Sequence, residues 1–295
     1  MAQERKALDA RAYGVTLVLT LLWGVQHVVI KATVPDVSPV TQAAIRTILA
    51  AALLMAWARW QGIALFRRDG TLGPGLLSGT FFAVEFVLIY AGLGHTNASR
   101  MSVFIYLTPP LTALGLHLFV PAERLAARQW AGIGLAFAGL ALAFADGFAT
   151  DRGTWLGDLC GLAAAVFWAG ITVTIRATRL AGATGTKALF YQLAVSSVIL
   201  PLAALGLGEA GVIAVTPLAI ASLAYQTVIV GFASLLAWYW LLTRYHAARL
   251  SVMTFLTPMI GVIGGAVALG EPISRAFGAA AVLVGAGIVL VNWRA

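Results

Sequence analysis

The sequence predicts an all-α integral membrane protein, with ten transmembrane helices arranged as two inverted five-helix repeats. Three observations carry that prediction: the composition, the lengths of the apolar runs, and a phrase that the chain writes twice. Of 295 residues, 61% are hydrophobic and only 10% are charged, and the mean hydropathy is +0.92. Such a chain lacks the polar surface that a water-soluble globule of this size must present. The repeated phrase is "RMSVFIYLTP" from Arg100 to Pro109, echoed by "RLSVMTFLTP" from Arg249 to Pro258.

A helix needs roughly 20 apolar residues to cross a hydrocarbon core of about 30 Å. Ten runs meet that requirement: 12–33, 39–58, 71–93, 97–118, 126–146, 155–176, 184–206, 214–243, 247–269 and 273–293. The first run is too long for a signal peptide and carries Trp23, Gln26 and His27 in place of a small-residue cleavage site, so it is expected to stay in the mature protein. Spans 5 and 10 contain "GIGLAFAGLALAF" and "GAAAVLVGAGIVLV". Their many small side chains permit close helix packing, and they read as scaffold. The G-x-G inside span 5 has no strand before it, so it does not read as a dinucleotide site.

Lysine and arginine in short connections set the orientation of such a chain. With the N-terminus in the cytoplasm, fourteen fall on the inner side: Arg5, Lys6, Arg11, Arg59, Arg67, Arg68, Arg124, Arg128, Arg176, Arg179, Lys187, Arg244, Arg249 and Arg294. Four fall outside: Lys31, Arg100, Arg152 and Arg275. The nineteenth, Arg46, lies within the second span. Both termini are therefore expected in the cytoplasm, with the chain crossing the cell (inner) membrane many times. The net charge of +8 is then a topology signal. A nucleic-acid reader would gather its basic residues on one solvated face, and here they punctuate apolar runs. A single cysteine, Cys160, excludes an intramolecular disulfide.

The echo extends beyond its opening phrase. "WGVQHVVIKAT" from Trp23 is answered by "WAGITVTIRAT" from Trp168, Tyr90 by Tyr239, and Glu123 by Glu271 at matching corners. The chain reads as a duplication, 1–150 and 151–295. Each half crosses five times, and an odd number turns the second half over relative to the first. That symmetry suits alternating access, in which two near-equal halves exchange conformations.

Ten spans, two five-span repeats, the aromatic-then-small pairs of spans 1 and 6 and the "LTP" phrase of spans 4 and 9 resemble the EamA branch of the drug/metabolite transporter superfamily. The resemblance covers nearly the whole chain. It implies a secondary transporter, in most members an exporter of amino acids or other small metabolites, the bacterial aromatic amino acid exporter being one type. Drugs or sugars are the alternative substrate classes, and a channel-like pore is the alternative of a different kind. The implied partners are a small-molecule substrate and the lipid bilayer, with no nucleic acid, and a single copy of the chain is compatible with the motifs. No cofactor is called for.

Polar residues are costly toward lipid, so polar stripes at helical spacing should face a protein interior or a wet cavity. They supply the candidate substrate-binding residues: Trp23 and Gln26 in span 1, Gln42 and Arg46 in span 2, Glu85 in span 3 and Tyr106 in span 4. The second half adds Trp168 and Thr172 in span 6, Gln192 in span 7 and Tyr239 in span 8. For a lone buried tryptophan the ordinary reading is packing; the repeat relation of Trp23 and Trp168 raises a cavity wall beside it. Arg46 lies seven residues from one end of its span (46 − 39) and Glu85 eight from the same side (93 − 85). At about 1.5 Å per residue they share a depth, so they are expected to pair or to line one cavity. Pro109 and Pro258 each free the carbonyl four residues earlier, on Ile105 and Thr254, and bend their helices. They are the candidate hinges, with Thr108 and Thr257 placed to supply a hydroxyl to the freed carbonyl.

The remaining motifs are bland. "NAS" at Asn97 abuts a span, and Gly261 and Gly265 read as internal packing. The histidines at 27, 95, 117 and 246 are scattered, with no HExxH and no carboxylate at ligand spacing, so no metal site is expected. Nor is there a nucleophile with its base to suggest an enzyme.

Overall fold

The computed structural model describes residues 6–93, 95–96, 98–145, 155–269, 273 and 275–293. Of the residues singled out above, Arg5, Asn97, Arg152, Glu271 and Arg294, and the side chains of His27, Ser99 and Gly265, lie outside that description. The described chain is helical. Its elements are α1 (Ala10–Thr33), α2 (Pro39–Trp60), α3 (Leu72–Leu93), α4 (Ala98–Ile105), α5 (Thr108–Phe119), α6 (Ala127–Ala143) and α7 (Trp155–Ala177). Then follow α8 (Gly185–Gly206), α9 (Pro217–Ala224), a π-helix (Tyr225–Ser234), α10 (Leu235–Arg244), α11 (Ala247–Met253), α12 (Leu256–Leu269) and α13 (Phe277–Asn292). Among the described residues eight helical stretches are long and apolar enough to cross a bilayer, and α13 is a shorter apolar helix.

Helix starts follow local chemistry. The Asp9 carboxylate accepts the Ala12 N–H at 2.8 Å and opens α1. Pro39 occupies the first turn of α2, where its missing donor costs nothing. Thr184 and Thr216 cap α8 and α9 through their hydroxyls. The two expected proline spans are each broken in two. Span 4 becomes α4 and α5, interrupted at Tyr106 and Leu107, and span 9 becomes α11 and α12, interrupted at Thr254 and Phe255. The Thr108 hydroxyl donates to the freed Ile105 carbonyl at 2.6 Å. The second break differs, because the backbone N–H of Thr257 takes the Thr254 carbonyl at 2.9 Å, so the hydroxyl is not used for it. The long eighth span, expected over 214–243, owes its length to ten residues of wide i→i+5 turns between α9 and α10.

Burial is inverted relative to a soluble protein. Threonine, glutamine and serine sit inside, with Thr16, Thr20, Gln42, Thr112, Ser196 and Gln226 fully covered. Large apolar side chains face outward, among them Leu17 and Leu21 on α1, Leu202 and Leu205 on α8, and Val282 on α13. An apolar perimeter of this extent needs lipid around it. Helix α1 packs on α12, α2 on α8, α3 on α7 and α8, α5 on α7, and α6 on α13. Each of these pairings joins an element before residue 146 to one after residue 154. The contact between α6 and α13 is close: a Cβ on Gly132 would lie 2.8 Å from the Gly287 carbonyl oxygen, and one on Gly139 would lie 2.8 Å from that of Ala280. Only glycine admits such an approach.

Candidate functional site

Some of the interior polar groups, Arg46, Thr47, Glu85, Thr172 and Gln192 among them, line a cavity of about 750 Å³. At the end of the bundle holding the α1–α2 corner its lining reaches Lys31, Val34 and Pro39, with Glu209 from the loop after α8. The lining ends toward the other side at Gln192 and Leu242. Nine of the ten residues expected to bind substrate line it: Trp23, Gln26, Arg46, Glu85, Tyr106, Trp168, Thr172, Gln192 and Tyr239. Pro258 lines it as well, whereas Pro109 is buried in the first turn of α5.

The tenth, Gln42, is placed elsewhere. Its amide donates to the Val37 carbonyl at 2.8 Å, and its oxygen accepts from Thr33 at 3.2 Å and from Gln226 at 2.8 Å. Lying four residues from Arg46, it shares that residue's stripe, but the corner after α1 and the π-helix claim its side chain first.

Arg46 and Glu85 line the same cavity and attract one another across it, but among the described residues no side-chain hydrogen bond or ion pair joins them to each other or to any other group. The guanidinium of Arg46 sits 4.7 Å above the Phe86 ring, a cation–π contact that positions it without neutralising it. Phe86 in turn lies 5.1 Å from Phe82 and 6.4 Å from Tyr90, so α3 carries an aromatic ladder beside its carboxylate.

Further aromatic residues line the cavity. Trp23 meets Trp238 edge-on at 5.4 Å and donates its indole N–H to Ser234 at 2.9 Å. Trp168 meets Tyr106 at 6.0 Å, and Tyr106 meets Phe255 at 6.4 Å. Each such pair is worth about 0.5–1.5 kcal/mol beyond its buried area, so these rings form a stiff surface. Gln192 is pinned by its donation to Ser78 at 2.8 Å.

Sequence reasoning missed Phe82, Phe86, Trp238, Ser234 and Glu209. The α3 ladder was readable, since 82, 86 and 90 recur at helical spacing next to Glu85. Ser234 and Glu209 had no local signal. Glu209 reaches the site because its carboxylate accepts the Val40 and Thr41 backbone N–H groups at 2.9 and 2.8 Å, capping α2 from another loop.

The end of the bundle opposite the α1–α2 corner is crossed by polar ties. Glu123 and Arg176 form an ion pair whose side chains are 2% and 0% exposed. Arg176 also donates to the Leu242 carbonyl at 2.9 Å, and Glu123 accepts the Ala248 N–H at 3.3 Å. Beside them the Lys6 backbone pairs with Arg244 and His246, and Tyr245 donates to Asp9 at 2.9 Å. The Ala12 N–H and the Tyr245 hydroxyl hold the Asp9 carboxyl below its usual range.

His117 accepts the Leu125 N–H and meets Trp130 edge-on away from the cavity, and Tyr191 bonds Thr71. Among the described residues no three His, Cys, Asp or Glu side chains gather as a metal site.

A multi-pass helical membrane protein with an aromatic-walled hollow that carries a few polar and charged groups has the build of a small-molecule transporter. Residues 11–145 and 155–293 each match the EamA-like transporter family, and the chain belongs to that family. It is 26% identical to an uncharacterised transporter of Archaeoglobus fulgidus, over 90% of this chain and 91% of the relative. It is 28% identical to the uncharacterised transporter YvbV of Bacillus subtilis, over 93% and 89%. A protein of Escherichia coli described as a "probable amino-acid metabolite efflux pump" is 25% identical over 94% and 95%. One solved crystal structure superposes with a TM-score of 0.78 at 21% identity, covering 96% of each chain, which speaks to the fold.

Proposed function

We propose that the protein is a secondary carrier that exports small zwitterionic metabolites, amino acids foremost, by alternating access between two inverted five-helix halves, 1–150 and 151–295. The observation that carries this reading is the pair of unpartnered opposite charges, Arg46 and Glu85, in one aromatic-walled cavity. A lone charge at that depth costs roughly 2.5–3.5 kcal/mol, and a zwitterion offsets both at once. Its carboxylate matches the forked donors of Arg46, and its ammonium matches Glu85. Its side chain rests against Trp23, Trp168 and Tyr106, a surface suited to an aromatic or large apolar group. The names of relatives called amino-acid metabolite efflux pumps support the same substrate class.

With both termini in the cytoplasm, the cavity faces outward and the Glu123–Arg176 end is the closed inner gate. Opening that gate swings α4–α5 and α11–α12 about the breaks at Pro109 and Pro258. Counterflow in liposomes loaded with a panel of amino acids tests the proposal. Saturable exchange is expected, reduced about tenfold or more by Arg46→Gln and by Glu85→Gln, the loss of one charge-assisted contact. Full exchange by both folded variants would refute the zwitterion site, and conductance without saturation would refute the carrier.

A further inference from the structure

Next to the Glu123–Arg176 pair the turn after α5, the start of α6 and the start of α11 border a second, half-open cavity of about 160 Å³. Its polar wall consists of Glu123, Arg124, Gln129, His246 and Arg249. The charge of Glu123 is cancelled from behind by Arg176. Gln129 is engaged at both ends of its amide, accepting from the Ala126 N–H at 3.0 Å and donating to the Val291 carbonyl at 3.3 Å. Arg124 and Arg249 differ: among the described residues neither guanidinium has a hydrogen bond, an ion pair or a ring partner.

Arg124, which is exposed, and the half-buried Arg249 and His246 therefore line one hollow whose only carboxylate is already neutralised. Like charges gathered in that way favour an anion between them. A guanidinium fork bonds phosphate oxygens two at a time, and a phosphate group has enough oxygens to serve both forks. Size narrows the choice. At about 30 Å³ per water the hollow holds roughly five waters, well below the 300 Å³ or more of an ordinary metabolite pocket. That is room for a headgroup and not for a whole metabolite.

We infer that this hollow is an anion site for a phosphate group, gripped by Arg124 and Arg249 with His246 beside them, and supplied either by an anionic phospholipid or by free phosphate. An occupant ties the α5–α6 turn to α11, across the two parts of the chain and alongside the Glu123–Arg176 pair. The site stands apart from the large cavity and does not depend on what that cavity carries.

The test uses the full-length protein in detergent. Native mass spectrometry with added phosphatidylglycerol or phosphatidylcholine reads the lipid source. Thermal melting in inorganic phosphate, against chloride at equal ionic strength, reads the free-anion source. Wild type is compared with Arg124→Gln/Arg249→Gln and with Arg59→Gln, an exposed arginine at the end of α2. Retention of one phosphatidylglycerol, or a rise in melting midpoint with phosphate, is expected for wild type and Arg59→Gln. The double variant should bind about tenfold more weakly or worse. Lipid retention without a phosphate effect assigns the headgroup, and the converse assigns the free ion. Equal binding by the double variant, equal retention of phosphatidylcholine, or the same loss in Arg59→Gln overturns the inference. A Lys/Lys variant that keeps both charges guards against misfolding. It should recover part of the binding, and if it binds no better than the Gln/Gln form the guanidinium site is overturned.

Discussion

Replacing Glu123 by glutamine removes one charge from the closed end of the bundle while keeping the size of the side chain and an oxygen for the Ala248 N–H. The partner left behind, Arg176, is 0% exposed, and its remaining bond to the Leu242 carbonyl is to a neutral group. Breaking a buried ion pair from one side costs about 3–5 kcal/mol, because the surviving charge is stranded. At about 2–4 °C per kcal/mol for a large domain, the melting midpoint should fall by roughly 6–20 °C. The single cysteine makes the assay direct: Cys160 is half-buried on α7, so a thiol-reactive dye in a temperature ramp reports unfolding at one site. Removing both charges, as Glu123→Leu/Arg176→Met, should recover most of the loss, since an apolar replacement of a buried pair is often neutral or better. A midpoint within about 2 °C of wild type for Glu123→Gln, or a double variant no more stable than the single one, would refute the reasoning.

Three further outcomes follow. Ser234→Ala removes the acceptor for the Trp23 indole N–H, at about 0.5–1.5 kcal/mol; a few-fold weaker apparent substrate affinity in counterflow is expected with little change in melting. Pro109→Ala restores a donor at the break between α4 and α5, and should lower the exchange rate more than the melting midpoint; an unchanged rate counts against the hinge. The Asp69 carboxyl, in the turn before α3, is pushed down to about 2 by the Lys187 ammonium at 2.8 Å and by the Thr71 hydroxyl. A depressed carboxyl stabilises the fold above its ordinary value of 3.8 and loses that contribution as pH falls toward about 2. Wild type should therefore be more stable than Asp69→Asn above pH 4, with the two midpoints converging near pH 2; a gap that persists at pH 2 would show that the stabilisation is not ionic.

Eight of the ten expected spans were legible because their signal is long and one-dimensional, an apolar run having to match the bilayer wherever it packs, whereas the fifth and tenth fold as the shorter helices α6 and α13. The shared depth of Arg46 and Glu85 was legible for a similar reason, since helical rise converts residue counts into height. The breaks near Pro109 and Pro258 follow from a donor that proline lacks. What escaped was decided by neighbours distant in sequence. Gln42 has the spacing of a cavity residue, yet Thr33 and Gln226 claim it. Nothing local in Tyr225–Ser234 announces wide turns. Arg176 reads as one more basic residue at a helix end, and only the folded chain brings it to Glu123, 53 residues earlier (176 − 123).

The glycine contact between α6 and α13 leaves no layer of side chains for one helix to glide over, because backbone meets backbone at Gly132 and Gly287. Such a seam tolerates small rotation and resists slippage. One helix comes from each part of the chain, so bulkier residues at these glycines would force the two backbones apart at positions that do not line the large cavity.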